Sequence, residues 1–209
     1  MSYKSNILDV KDLKKRLKSK TDATSKAAAL ALNKTSTFAI RESISDITSE
    51  VSLQQSYISK HLKTVGRASS SNLRAVIAAN ARETLLSRYP YRVTSKGVSV
   101  KIGVSGYRDI PKAFIVRGLR GSLATGVALS NKQALAFFES RLSTGISTAA
   151  KVSKVAKLRE KAIKKPRGIE VLHSRSINQL FTSSRVNIQP RIKAYMVEQF
   201  LYDLDRLSI

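Results

Sequence analysis

The chain has 209 residues, no cysteine, 42% apolar residues, and 38 Lys and Arg against 14 Asp and Glu, a formal net charge of +24. The length suits one domain with arms, the missing cysteine excludes disulfides and thiolate zinc sites, and no apolar run reaches the roughly 18 residues of a membrane-spanning helix. The charge calls for acidic partners, either nucleic acid or acidic proteins; a membrane partner is not expected, because the basic stretches lack the Trp/Phe/Leu face of an interfacial helix.

The opening Met-Ser-Tyr-Lys-Ser-Asn is not followed by an apolar stretch, so no secretory leader is expected. Ile7, Leu8, Leu13 and Leu17 among Lys11, Lys14, Lys15, Arg16 and Lys18 predict a short amphipathic helix with a basic face. Thr21 or Asp22 then caps a second helix, free of Gly and Pro to about Val51, with Ala27, Leu30, Ala31, Ile40, Ile44 and Ile47 at helical spacing. A further short helix is expected from Leu53 to Leu62.

Gly66 and Ser69-Ser70-Ser71 mark a break, after which the texture is strand-like. Strands are predicted at Leu73–Ala78, Tyr91–Val93, Val98–Ile102, Ala113–Val116 and Leu135–Phe138, the second and third turning at Gly97. The last two pair across a connection that holds Gly118, Gly121 and Gly126. Residues 142–168 are rich in Ser, Thr, Ala and Lys; Lys151, Lys154, Lys157, Lys161 and Lys164 make a basic stripe on a helix, opposite Val152, Val155 and Ile163, or belong to a solvated arm. Ile169–Leu172 is a last strand. Pro190 fits the first turn of a terminal helix whose apolar face runs through Ile192, Tyr195, Met196, Phe200, Leu201, Leu204 and Leu207.

The order helices, strands, helix gives an α+β class: long N-terminal helices, a central antiparallel β-sheet with a protruding hairpin, and a C-terminal helix. The divisions are a helical arm over 1–67, a sheet core over 68–175 with a basic insertion at about 142–168, and a C-terminal segment over 176–209 that packs on the sheet. Net charge over 1–67, 68–118, 119–175 and 176–209 is +7, +7, +9 and +1, so the third stretch is the most basic.

Chemistry is sparse. His61 and His173 are the two histidines, with no metal-ligand spacing around them. No nucleophile elbow, phosphate-binding glycine loop or His-Glu-x-x-His occurs. No catalytic residue, cofactor or metal is expected, and the protein is read as a non-enzyme. The stretch Val51–Leu62 has a weak likeness to the second half of a helix-turn-helix, which keeps DNA binding as an alternative.

Two stretches carry a resemblance. One is Ala27-Ala28-Ala29-Leu30-Ala31-Leu32-Asn33-Lys34-Thr35, an Ala-rich helix with an Ala-x-Asn-Lys step; the other is Arg108-Asp109-Ile110-Pro111-Lys112-Ala113-Phe114-Ile115-Val116. The chain resembles the minor tail protein Z, or tail completion (neck), family of long-tailed phages, whose members share these two features, a basic stretch, a final strand and a C-terminal helix. At the position of Lys112 the family often has glycine, and residues 119–168 are longer than usual in it. The resemblance implies a virion protein that completes the tail and joins it to the head as a ring, usually sixfold. Its neighbours would be tail terminator, tail tube or head–tail connector proteins, with genomic DNA passing during ejection.

Residue expectations follow. Arg16, Lys34 and Arg41 meet acidic groups of neighbouring subunits. Ile110, Pro111 and Phe114 support the sheet, with Pro111 at the start of a strand and Ala113 and Phe114 on opposite faces, one packed tightly and the other filling core. Lys151, Lys154, Lys157, Lys161 and Lys164 contact DNA or an acidic partner.

Overall fold

The computed structural model describes residues 10–119, 124–143 and 149–207. The fold is mixed α+β, with a long N-terminal helix, several small antiparallel sheets and a C-terminal helix. The chain divides into two compact units: one of Met1–Ile47, Ser56–Ala81 and Ile177–Ile209, the other of Thr48–Gln55 and Arg82–Ser176. The division differs from the expected boundaries at 67 and 175. The C-terminal helix belongs with the N-terminal one, because its polar and aromatic groups find their partners there.

In the first unit, helix α1 spans Val10–Glu50 without interruption. Two helices separated at Thr21 or Asp22 were expected. With neither Gly nor Pro between Val10 and Glu50, nothing forces the backbone out of helical geometry, and a capping side chain alone does not end a helix. Helix α5 spans Ile177–Leu207, and Pro190 lies inside it rather than in its first turn. There Pro190 removes the N–H that would meet the carbonyl of Val186. Ser176-Ile177-Asn178-Gln179 has the Ser-x-x-Gln form of a capping box, which marks the true start.

The two helices meet along one ridge of α1, at positions 34, 38, 42 and 46, four residues apart and so on one face. Lys34 Nζ lies 2.7 Å from the Asp203 carboxylate. The rings of Phe38 and Tyr195 stack at 4.1 Å. Glu42 pairs with Arg191 at 2.7 Å, and Asp46 accepts from Asn187 Nδ2 at 3.3 Å. The partners descend in number as α1 ascends, so the helices run antiparallel. Small buried residues, Ala27, Ala31 and Ala39, line α1 where close approach is needed, and Ile177, Leu180 and Ile188 supply the buried side of α5.

Helix α2 (Gln55–His61) runs straight into β1 (Leu62–Gly66), which pairs antiparallel with β2 (Val76–Ala79). The strand expected at Leu73–Ala78 thus lies later in the chain, and Gly66 sits inside the ladder, beside a bulge. Asn33 of α1 fastens the connection: its Nδ2 donates to Ala68 O and its Oδ1 accepts from Ala68 N, both at 2.9 Å.

Among its described residues the second unit holds three small antiparallel sheets. β3 (Thr84–Leu85) pairs with β10 (His173–Ser174). β4 (Tyr91–Thr94), β5 (Gly97–Val100) and β6 (Arg108–Pro111) form one meander, and β7 (Phe114–Val116), β8 (Gly126–Ser130) and β9 (Ile169–Val171) another sheet in that order. The β4–β5 turn is Ser95-Lys96, with Thr94 opposite Gly97. Gly97 is required at φ 150, since a Cβ would lie 2.3 Å from Ile110 O and 2.8 Å from Lys112 N.

Gly126 opens β8 instead of lying in a connection. β8 has Gly126 to Leu129 all buried, the mark of a strand covered on both faces. The strand expected at Leu135–Phe138 is part of helix α3 (Asn131–Ser143). Ser130 and Gln133 build its start reciprocally: Gln133 N donates to Ser130 Oγ, and Ser130 N donates to Gln133 Oε1. Helix α4 (Ala149–Lys164) packs on α3. Val155 and Leu158 are its buried residues, whereas Val152 and Ile163 (77% accessible), both expected on that face, are exposed.

Candidate functional site: a basic face of the second unit

The motif Ile110–Val116 is a corner between two sheets. β6 ends at Pro111, Lys112 turns the chain with φ 62, and β7 begins at Phe114. Pro111 therefore closes a strand where it was expected to open one. Ile110 and Ala113 are buried, but Phe114 is 39% accessible and does not fill the core; it lies opposite Ala128 in the β7–β8 ladder. The corner is held by Lys112 N donating to Lys96 O at 2.8 Å and Ala113 N donating to Ile110 O at 3.3 Å.

The start of α3 and the end of α4 are tied together next to it. Asn131 N donates to Gly168 O at 2.7 Å, and Asn131 Nδ2 donates to Lys165 O at 2.8 Å. Gly168 leaves the room this needs, since a Cβ would lie 2.5 Å from Asn131 Nδ2. Two open grooves flank the tied segment. One, about 620 Å³, carries Lys112, Lys132 and Arg167 among its lining side chains and, among the described residues, no carboxylate. The other, about 540 Å³, is lined by Lys157, Lys161, Lys164 and Lys165 together with Glu160.

The stripe expected on α4 is a helical stripe, but much of its charge is satisfied within the unit. Lys161 pairs with Glu170 at 2.8 Å and Lys164 with Glu160 at 2.6 Å. Lys154 Nζ sits 4.9 Å from the centre of the Phe138 ring, a cation–π contact. Lys157 has no ion-pair partner among the described residues. The side chain of Lys151 lies outside the described part, as does that of Arg16.

Lys34, expected at a subunit interface, is bound inside its own unit to Asp203, whose side chain is fully buried. Arg41 is exposed and lies over the Phe38 ring at 5.3 Å. The residues that sequence reading passed over are Lys112, Lys132, Lys165 and Arg167. Lys112, Lys132 and the Lys165–Arg167 stretch are far apart in the chain, and the sheet corner and the Asn131 tie bring them close, Lys165 in the second groove and the other three in the first.

Among the described residues no group of three or more His, Cys, Asp or Glu is placed to hold a metal. His61 Nδ1 is 3.3 Å from Asn80 Nδ2, with Tyr57 edge-on at 4.6 Å. His173, half-buried on β10, has its pKa lowered from the usual histidine value, first by burial; the Glu83 charge raises it and the Lys154 charge lowers it. Among the described residues no helix is long and apolar enough to cross a membrane. No family model, no curated protein and no solved structure matches the chain.

Proposed function

We propose that the protein is a structural component of a tailed-phage virion, completing the tail and joining it to the head or neck as a homo-oligomeric ring through which DNA passes. The observation that carries the assembly part is the outer face of α5. Val186, Pro190, Ala194, Val197 and Leu201 follow at spacings of four, four, three and four, so they share one side of the helix. All are exposed, Val186 at 73%, Val197 at 53% and Leu201 at 59%. A continuous apolar ridge in water marks a contact surface. Arg185 and Lys193 flank its first half, and Glu198 and Asp205 its second, so another copy of the helix offers charges of the opposite sign.

Two details support the family part. Lys112, where the resembled family often has glycine, adopts φ 62, the left-handed conformation that glycine takes without strain. In the Ala-x-Asn-Lys step, Asn33 pins the β1–β2 connection and Lys34 pins α5 through Asp203, which gives both motif residues a structural duty. Tail terminator, tail tube or connector proteins are the proposed neighbours, and the tail or neck of the virion the proposed location.

The test is the solution mass of the purified chain, alone and with phage tail tubes. The expected result is an assembly near six times the 23.0 kDa subunit mass, or capture at one end of a tube. The double variant Val197→Asp/Leu201→Asp is expected to revert to single subunits. A wild-type chain that stays at 23.0 kDa and ignores tubes would overturn the reading. The groove with Lys112, Lys132 and Arg167 would then favour a second one, a DNA-binding protein acting as a monomer.

A further inference from the structure

We infer that the groove holding Lys112, Lys132 and Arg167 is a contact site for the phosphate backbone of duplex DNA, and that the lysine stripe of α4 is at most its margin. The three cations are exposed, and none has an ion-pair partner among the described residues. Among the described residues no carboxylate lines the groove. The neighbouring groove under α4 contains Glu160, and two of its lysines are already paired.

Two of the three cations stand where local physics disfavours them. Lys112 adopts φ 62, a conformation that a residue with a Cβ takes at a cost and glycine takes freely. The backbone alone would be better served by glycine, so the reason for lysine lies in its side chain. Lys132 sits in the first turn of α3, which has no acidic residue; a cation there opposes the positive end of the helix dipole. An anion in the groove offsets the second of these penalties and gives the Lys112 side chain a partner.

The chemistry selects nucleic acid over an acidic protein surface and duplex over single strand. Ala136 and Pro166 are the groove's apolar lining, little for a protein partner to bury. Among the described residues no aromatic side chain lines it, so unstacked bases have no platform. Lysine and arginine without a base-reading element give sequence-independent contacts to phosphate. The inference concerns the second unit and adds to the assembly reading the surface that meets DNA. It is tested by titration rather than by mass, so either can fail while the other stands.

The experiment is a fluorescence-anisotropy titration of the full-length protein with a labelled random-sequence duplex, between about 50 and 200 mM salt. In the triple variant Lys112→Gly/Lys132→Gln/Arg167→Gln, the slope of log affinity against log salt is expected to fall by about 2.7, three contacts at ~0.9 each, with a loss of roughly a hundredfold at 0.15 M salt. The matched triple Lys157→Gln/Lys161→Gln/Lys164→Gln is expected to lower the slope by about one or less. Lys112→Gly alone must melt no earlier than wild type and still lose affinity, and Lys112→Arg must restore it. An unchanged slope in the groove triple overturns the inference, as does an equal loss in the α4 triple. So does a groove triple that binds DNA normally but loses affinity for polyglutamate, which would assign the groove to acidic proteins.

Discussion

The α1–α5 ridge of the first unit and the groove of the second use the same kind of residue in opposite ways. In the first, Lys34 points at a fully buried Asp203 on the facing helix, and Arg191 and Asn187 take up Glu42 and Asp46 along the same ridge. In the second, Lys112, Lys132 and Arg167 share a groove lined, among the described residues, by no carboxylate. A lysine becomes structural where the fold brings a carboxylate into register with it, and is left to a partner where it does not. Stability should therefore respond to charge changes in the first unit and be nearly indifferent to them in the second, while binding does the reverse.

The largest expected effect is at Lys34. Lys34→Met leaves the Asp203 carboxylate buried, with Arg206 at 3.8 Å as its remaining cation. Asp203 is fully buried while Lys34 is partly exposed, so removing the lysine should cost about 3 kcal/mol, the low end for breaking a buried pair. Urea unfolding should show that loss, and Lys34→Met/Asp203→Leu should recover most of it. An unfolding midpoint unmoved by Lys34→Met would break the comparison. In the second unit, Lys161→Gln and Lys164→Gln remove exposed pairs and should each change stability by less than about 1 kcal/mol.

Asn33 comes next. Asn33→Ala deletes both hydrogen bonds to Ala68 and leaves that backbone to find other partners. A loss of about 1–3 kcal/mol is expected, with faster amide exchange around Ala68 and the β1–β2 hairpin. The capping box of α3 is smaller. Ser130→Ala should lose about 1 kcal/mol, and exchange should rise in the first turn of α3. Lys112→Gly should go the other way, gaining about 1 kcal/mol by relieving the positive φ.

Much of this is legible in the sequence once the right signal is read. Helix, sheets and terminal helix follow from apolar spacing, and the hairpin of β4 and β5 from alternation. The α3 helix was announced by Ser130-Asn131-Lys132-Gln133 and the start of α5 by Ser176-Ile177-Asn178-Gln179, capping signals that outrank Phe137-Phe138 and Pro190 as guides. The division into units is not legible. It depends on Phe38 meeting Tyr195 and Lys34 meeting Asp203, pairs separated by most of the chain. The groove is not legible for the same reason. A lysine stripe repeats in sequence and attracts notice, whereas Lys112, Lys132 and Arg167 become neighbours only after the corner at Pro111 and the Asn131 tie have formed.

The smallest expected effect tests the second unit's indifference to charge at its own weak point, His173. Burial lowers the pKa of this half-buried histidine below its unfolded value, with Lys154 adding to the shift and Glu83 opposing it. The folded chain thus binds fewer protons than the unfolded chain at pH values between the lowered pKa and the usual 6.5. The stability that His173 contributes as a neutral ring is complete above that usual value and is lost as pH falls from it through the folded pKa. His173→Gln removes the proton but keeps a polar side chain. The wild type should therefore lose stability relative to His173→Gln on acidification from pH 7 to 5, with the gap opening below about pH 6.5. Parallel urea titrations of the two proteins at successive pH values read that gap. A gap that opens in the opposite direction would mean that Glu83 outweighs burial, making this histidine a stabilising cation and returning the second unit to the structural use of charge seen in the first.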